Sequence, residues 1–182
     1  LGTIRIVQGS YVNHSIRYDE LVNGENPNVF NPEFEGGTLL DMNFYNVYLT
    51  VSLFGKPDET KYYANLHNGV IDTSGILLMK YRDFVCALSS SKDVYMPDYF
   101  FISGEKGYID IPNGSNGITN IRCVIGRSKR EVHTLQDNPN RLAYEVKGWK
   151  EIITNPKGKK AKKNWEYMEN VIYVLECARK TA

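Results

Sequence analysis

Between Lys61 and Gln136 one strand candidate follows another, and no segment of helical length separates them. The candidates are KYYANLHNGV, GILLMKY, FVCALSSS, YFFISG, GYIDIP and ITNIRCVIG, rich in β-branched and aromatic residues and bounded by turn formers. Strands joined without crossover helices pair mainly antiparallel. The turns SGEKG, before YIDI, and PNGSNG, after it, read as hairpin connections. With helical patterns before and after this run, the expected class is α+β: a mixed, largely antiparallel open β-sheet with helices on one face.

Ahead of the run, residues 3–18 carry Ile4, Ile6, Val7, Tyr11, Val12 and Ile16 and read as one long strand, with Gly9 marking a bulge or a close backbone approach. LVNGENPNVFNPEFEGG then reads as a long irregular loop. Over 39–54, Leu40, Phe44, Val47, Val51 and Phe54 recur with helical period, Thr38 and Asp41 form a T-x-x-D capping pattern, and Gly55 and Pro57 stop the helix. A short helix is expected over 141–153. A longer one is expected over 164–180, with Trp165, Met168, Ile172 and Leu175 on its buried side.

The 182 residues suit one domain. Lys and Arg number 22 against 21 Asp and Glu, which gives no field suited to nucleic acid. KGKKAKK, 157–163, reads as a solvated loop before the last helix. Cys86, Cys123 and Cys177 are far apart and form no CxxC pair, so they are expected to be reduced, in a cytoplasmic protein. His14, His67 and His133 lack metal-ligand spacing, and no metal is expected. No apolar run approaches the roughly 20 residues of a membrane span. The sequence opens at Leu1, directly on a strand, and reads as a piece of something longer.

On the 39–54 helix, Asp41, Tyr45, Tyr48 and Ser52 each follow a member of the apolar stripe by one residue, about 100° round the axis. They would line a wall. An acid in the first turn also serves as a cap, and helical tyrosines beside a core pack with a wet hydroxyl, so the spacing leaves both readings open.

GGTLLDMNFYNVYLTVSLFGKP resembles the GGGxLxDxGxHxxDxxxxLxG segment of the Gfo/Idh/MocA oxidoreductase family, named for glucose-fructose oxidoreductase and inositol dehydrogenase. GTIRIVQGSY resembles the first strand of that family's C-terminal domain, FNPEFEGG the approach to its helix, ISGEKGYIDIP its I-x-G-x-x-G-x-I-x-I hairpin, and NWEYMENVIYVLECARK its closing helix. The resemblance implies a fold like the C-terminal domain of glyceraldehyde-3-phosphate dehydrogenase. It implies one substrate-binding and dimerisation domain over 1–182, with the nucleotide-binding Rossmann half and its E-K-P lysine absent from this chain.

By the same resemblance Asp41 matches the motif aspartate that faces the substrate. Tyr45 stands where the motif has a catalytic histidine, as in members similar to dihydrodiol dehydrogenase. Asn43 replaces the usual glycine and Tyr48 the second aspartate, and both join the substrate-binding candidates, as do His14 and Arg17 at the end of the first strand. The parent is expected to transfer a hydride between NAD or NADP and a hydroxyl-bearing carbon of a sugar, cyclitol or similar polyol. The isolated chain is expected to bind no cofactor, to be inactive, and to form a homodimer through the open sheet face. No nucleic acid or membrane partner is expected. The rival is a non-catalytic ligand-binding or dimerisation module of the same fold.

Overall fold

A computed structural model describes residues 1–182 except Arg127, Ser128 and Leu135, and the side chain of Lys129. Its described residues form eight strands and five α-helices: β1 (Ile4–Val12), α1 (Ile16–Val22), α2 (Thr38–Asp41), α3 (Asn43–Phe54), β2 (Glu59–His67), β3 (Ile71–Lys80), β4 (Val85–Ser91), β5 (Tyr99–Gly104), β6 (Gly107–Ile111), β7 (Asn120–Ile125), β8 (Lys129–Thr134), α4 (Leu142–Thr154) and α5 (Lys159–Arg179). The strands join in one sheet of order β2-β3-β4-β1-β5-β6-β7-β8. β1 inserts between β4 and β5, parallel to the former and antiparallel to the latter, and every other pairing is antiparallel. The expected sheet is therefore present, with SGEKG closing the β5–β6 hairpin between Gly104 and Gly107.

Alternation along the strands gives the sheet two unlike faces. Val7, Tyr62, Leu77, Met79, Leu88, Phe100 and Ile102 point inward and form one core with Val47 and Val51 of α3 and Val171, Val174 and Leu175 of α5. The alternate residues Ile6, Tyr63, Ile76, Leu78, Val85 and Tyr108 stay exposed on the opposite face. Gly9 is a close approach: a Cβ there would lie 2.8 Å from the Phe100 ring.

Several local expectations are corrected. The first strand stops at Val12, because Asn13 and Ser15 donate their N–H groups to Ser91 and Lys92, and the Ser15 hydroxyl caps α1 by accepting from the Arg17 N–H. Ile16 and Arg17 therefore lie on a helix. The loop before α2 contains two 3-10 turns, Asn28–Phe30 and Pro32–Phe34. The helix expected over 39–54 is interrupted at Met42. The T-x-x-D box does not close either, since Gly37 occupies the cap position and the Thr38 hydroxyl donates to the Asp72 carbonyl. Finally, α5 starts at Lys159, so most of the lysine cluster is helical, around a buried Ala161. The buried stripe of α5 is Val171, Val174, Leu175 and Ala178, whereas Trp165 and Ile172 are exposed.

Gly37 and Gly55 both have positive φ, +106° and +75°. A Cβ on Gly37 would collide with the Asp72 carboxylate, whereas one on Gly55 meets nothing within 4 Å. Gly55→Ala is therefore expected to cost about 1 kcal/mol from backbone strain alone, and Gly37→Ala at least ~2 kcal/mol more, in urea unfolding. Equal losses would remove the steric role assigned to Gly37.

Candidate functional site

The site begins with the placement of α2. Asp72 on β3 accepts the Leu39 N–H at 2.6 Å and the Tyr62 hydroxyl at 2.7 Å through one carboxylate oxygen, so a strand side chain supplies the helix cap that Thr38 does not. Burial pushes the Asp72 carboxyl above its ordinary range, while the hydrogen bonds from Tyr62 and Leu39 pull it back. Burial and the neighbouring Asp72 charge push the Tyr62 phenol far up, so it stays a donor.

A polar layer then fixes the rotation of α3. Asn43, Asn46 and Thr50 are fully buried on its sheet-facing side. The Asn43 amide donates to the Leu88 carbonyl, the Asn46 amide to Asn43 and to the Ser89 carbonyl, and the Thr50 hydroxyl to the Asn46 carbonyl. Ser115, from the loop after β6, donates to Asn46 at 2.7 Å. The sequence reading saw only the apolar stripe, although the spacing of 43, 46 and 50 also marks one helical face. Asn43, expected among substrate contacts, is committed to this layer.

With α2 and α3 so held, Asp41 and Tyr45 open on two separate depressions that share no lining residue. Asp41 pairs with Lys92 at 2.6 Å, and the exposures are unequal: 10% for the lysine side chain against 47% for the aspartate. The carboxylate opens on a crevice shared with Asn28, Val29, Phe34, Glu35, Gly36 and Leu40. Tyr45 lies in a larger groove of ≈ 1130 Å³ between α3, α4, α5 and the loop after β6, with Phe44, Tyr48, Trp149 and Trp165 among its walls. Its ring stands edge-on to Tyr11 at 5.2 Å. Tyr11 accepts from the Asn116 amide, and Asn116 accepts from Arg141. The Tyr45 phenol is raised above its ordinary value by burial, then by Tyr11, Asp41 and Glu145, with Arg141 acting the other way.

The remaining candidates divide. Tyr48 lines the groove with Tyr45. Arg17 is bound to Glu20 at 2.6 Å and borders a depression that shares Asn28 and Val29 with the Asp41 crevice. His14 stacks on Tyr95 at 4.6 Å and meets Tyr18 edge-on. Ser52, expected on the same wall, turns its hydroxyl to the Leu49 carbonyl. Sequence reasoning missed Lys92, Tyr11, Asn116, Arg141 and Glu145, since the signal for each is a non-local contact.

The described residues do not fit a dinucleotide. The strand-to-helix turn after β1 is Asn13-His14-Ser15, without a glycine that would let backbone approach a pyrophosphate, and the charged groups lining the groove are Glu145 and Glu169. Among the described residues no group of three or more His, Cys, Asp or Glu side chains is placed to hold a metal ion, and no helix is long and apolar enough to cross a membrane. The three cysteines are unpaired.

With this geometry in hand, likeness to known proteins is informative. The profile of the GFO/IDH/MocA C-terminal domain matches residues 1–110. The uncharacterized oxidoreductase YgjR of Escherichia coli is 39% identical over 147 residues, 80% of this chain and 44% of that protein. The scyllo-inositol 2-dehydrogenase (NADP(+)) IolU of Bacillus subtilis is 30% identical over 183 residues, 99% of this chain and 55% of that protein. The chain thus spans about half the length of these relatives. Among solved structures, the UDP-N-acetylglucosamine 3-dehydrogenase of Acidithiobacillus ferrooxidans superposes with TM-score 0.72 at 13% identity, over all of this chain and 54% of that one. A 3-ketoreductase of Actinomadura kijaniata, solved with TDP-benzene and NADP, gives 0.71 at 14%, over all of this chain and 54% of that one. At such identities the structural likeness speaks to the fold.

Proposed function

The chain belongs to the Gfo/Idh/MocA oxidoreductase family through its C-terminal domain, and from that premise we propose that it is the substrate-binding half of an NAD(P)-dependent, cytoplasmic oxidoreductase. The parent enzyme moves a hydride between the nicotinamide and a hydroxyl-bearing carbon of a sugar, cyclitol or similar polyol. The cofactor, held by a nucleotide-binding Rossmann half outside this chain, carries the redox step. The chain alone holds substrate and does not turn it over.

One observation carries this reading: a half-exposed carboxylate and a phenol, four residues apart and near enough for the acid to raise the phenol, each open on a depression from a helix pair whose start is held by Asp72. The raised Tyr45 phenol retains its proton and donates it to a substrate oxygen, or recovers it in the reverse direction. Asp41 accepts a hydrogen bond from a neighbouring hydroxyl. Tyr48 shapes the groove, Arg17 borders the depression next to the Asp41 crevice, and His14 is held against Tyr95. The polyol class is supported by what IolU is named for.

The full-length parent with scyllo-inositol and NADP supplies the test, read as nicotinamide absorbance. Native enzyme is expected to turn over, and Tyr45→Phe to lose roughly 10²–10⁴-fold in kcat with KM little changed, the range of one general acid. An unaffected Tyr45→Phe enzyme contradicts the role of the phenol. A native protein that neither reduces nor binds NADP favours the non-catalytic module.

The open sheet face is the proposed homodimer surface. Its exposed Ile6, Tyr63, Ile76, Leu78 and Val85 form a broad apolar surface of the kind a second copy covers. Ile76→Lys, remote from the groove lining, is expected to shift sedimentation from dimer to monomer at micromolar concentration. A native protein that sediments only as monomer contradicts this.

A further inference from the structure

The Lys92–Asp41 pair is asymmetric in a way that a surface ion pair is not. The ammonium is the inner partner, with its side chain 10% exposed, while the carboxylate is nearly half exposed. The backbone of Lys92 is clamped on both sides: its N–H donates to the Thr73 carbonyl of β3 and its carbonyl accepts from Ser15 in the turn before α1, both at 2.9 Å. The next residue, Asp93, gathers the hydroxyls of Thr73, Ser74 and Ser91 at 2.6 to 3.0 Å. A long, flexible side chain is thus launched from a bend with little freedom, and its charged end stops under α2. Glu35, which shares the Asp41 crevice, is engaged by Arg179. Asp41 is engaged by Lys92.

We propose that Lys92 is the positioning residue of the site, an internal cation that holds the Asp41 carboxylate turned outward as an acceptor for a substrate hydroxyl. This rests on the functional reading above and deepens it. Being shielded, Lys92 does not touch substrate; it acts through Asp41, whose half-exposed carboxylate lines the crevice and keeps acceptor capacity beyond the one bond to the ammonium. A group presented there must donate a hydrogen bond, so the site selects neutral hydroxyls and turns away anionic substituents such as the carboxylate of a sugar acid. The chain thereby supplies a lysine of its own to the substrate side of the site.

Two measurements test this, one of them independent of catalysis. In ¹⁵N-labelled chain, a held ammonium exchanges its protons slowly and gives a sharp Nζ–H signal. Lys92 is expected to show one, identified by its loss in Lys92→Met, and Asp41→Asn is expected to abolish it while the amide signals of Val47 and Val51 stay in place. In the full-length enzyme with scyllo-inositol and NADP, Lys92→Met is expected to raise KM about tenfold or more with a smaller loss in kcat, and Lys92→Arg to restore most of it. A Lys92 signal that survives in Asp41→Asn, or a Lys92→Met enzyme with native KM, overturns the inference. A held Lys92 signal, lost in Asp41→Asn, in a protein without polyol dehydrogenase activity supports the positioning of Asp41 and refutes the functional reading instead.

Discussion

One largely shielded carboxylate decides where the site is. Asp72 leaves β3 toward the helices and receives the Leu39 N–H in the first turn of α2 and the phenol of Tyr62, while Gly37 yields the space its other oxygen needs. Burying a carboxylate costs several kcal/mol unless donors replace its water, and two short hydrogen bonds from fixed groups do so here. Both donors are themselves positioned by the fold, one by a helix start and one by the neighbouring strand. The helix therefore cannot slide along the sheet without leaving an unpaired charge inside. Asp41 sits two residues beyond Leu39, so its place in the crevice is inherited from Asp72.

From that anchor the structure sorts polar groups by task. Asn43, Asn46 and Thr50 turn toward the sheet and settle the rotation of α3, which leaves Tyr45 and Tyr48 facing the groove. Lys92 arrives from the far side of β4 and meets Asp41 from within. The acid is thus backed by a cation, while the phenol, edge-on to Tyr11, is raised first by burial and then by Tyr11 and the nearby acids. Two groups four residues apart end in different electrostatic settings, as the proposed division of labour between hydrogen-bond acceptor and proton donor requires.

Much of the fold was legible because its signals are local. Alternation marked the strands, SGEKG marked a hairpin, and the stripe from Leu40 to Phe54 marked the central helix. Gly9 marked a place where side chains of the two adjacent strands leave no room for a Cβ. What escaped was non-local. The parallel pairing of β1 with β4 brings Val12 beside Ser91 and so delivers Lys92 to the site, and no spacing within either strand announces it. The capping pattern at Thr38 was outcompeted by Asp72, 34 residues away. Asn43 looked like a departure from a family motif at a ligand-facing position; its burial against Leu88 gives it a packing task instead. Of the site, Asp41 and Tyr45 could be named from sequence, but their partners could not.

The central claim is that Asp72 holds α2, and through it the site, in place. Native-state hydrogen exchange of Asp72→Ala against the native chain tests this most directly. If the account is right, the amides of Leu39, Asp41 and Met42 lose protection by roughly tenfold or more beyond the global change, while Val47 and Val51, inside α3, follow the global change alone. A uniform loss across both helices, or undiminished protection at Leu39, would contradict it.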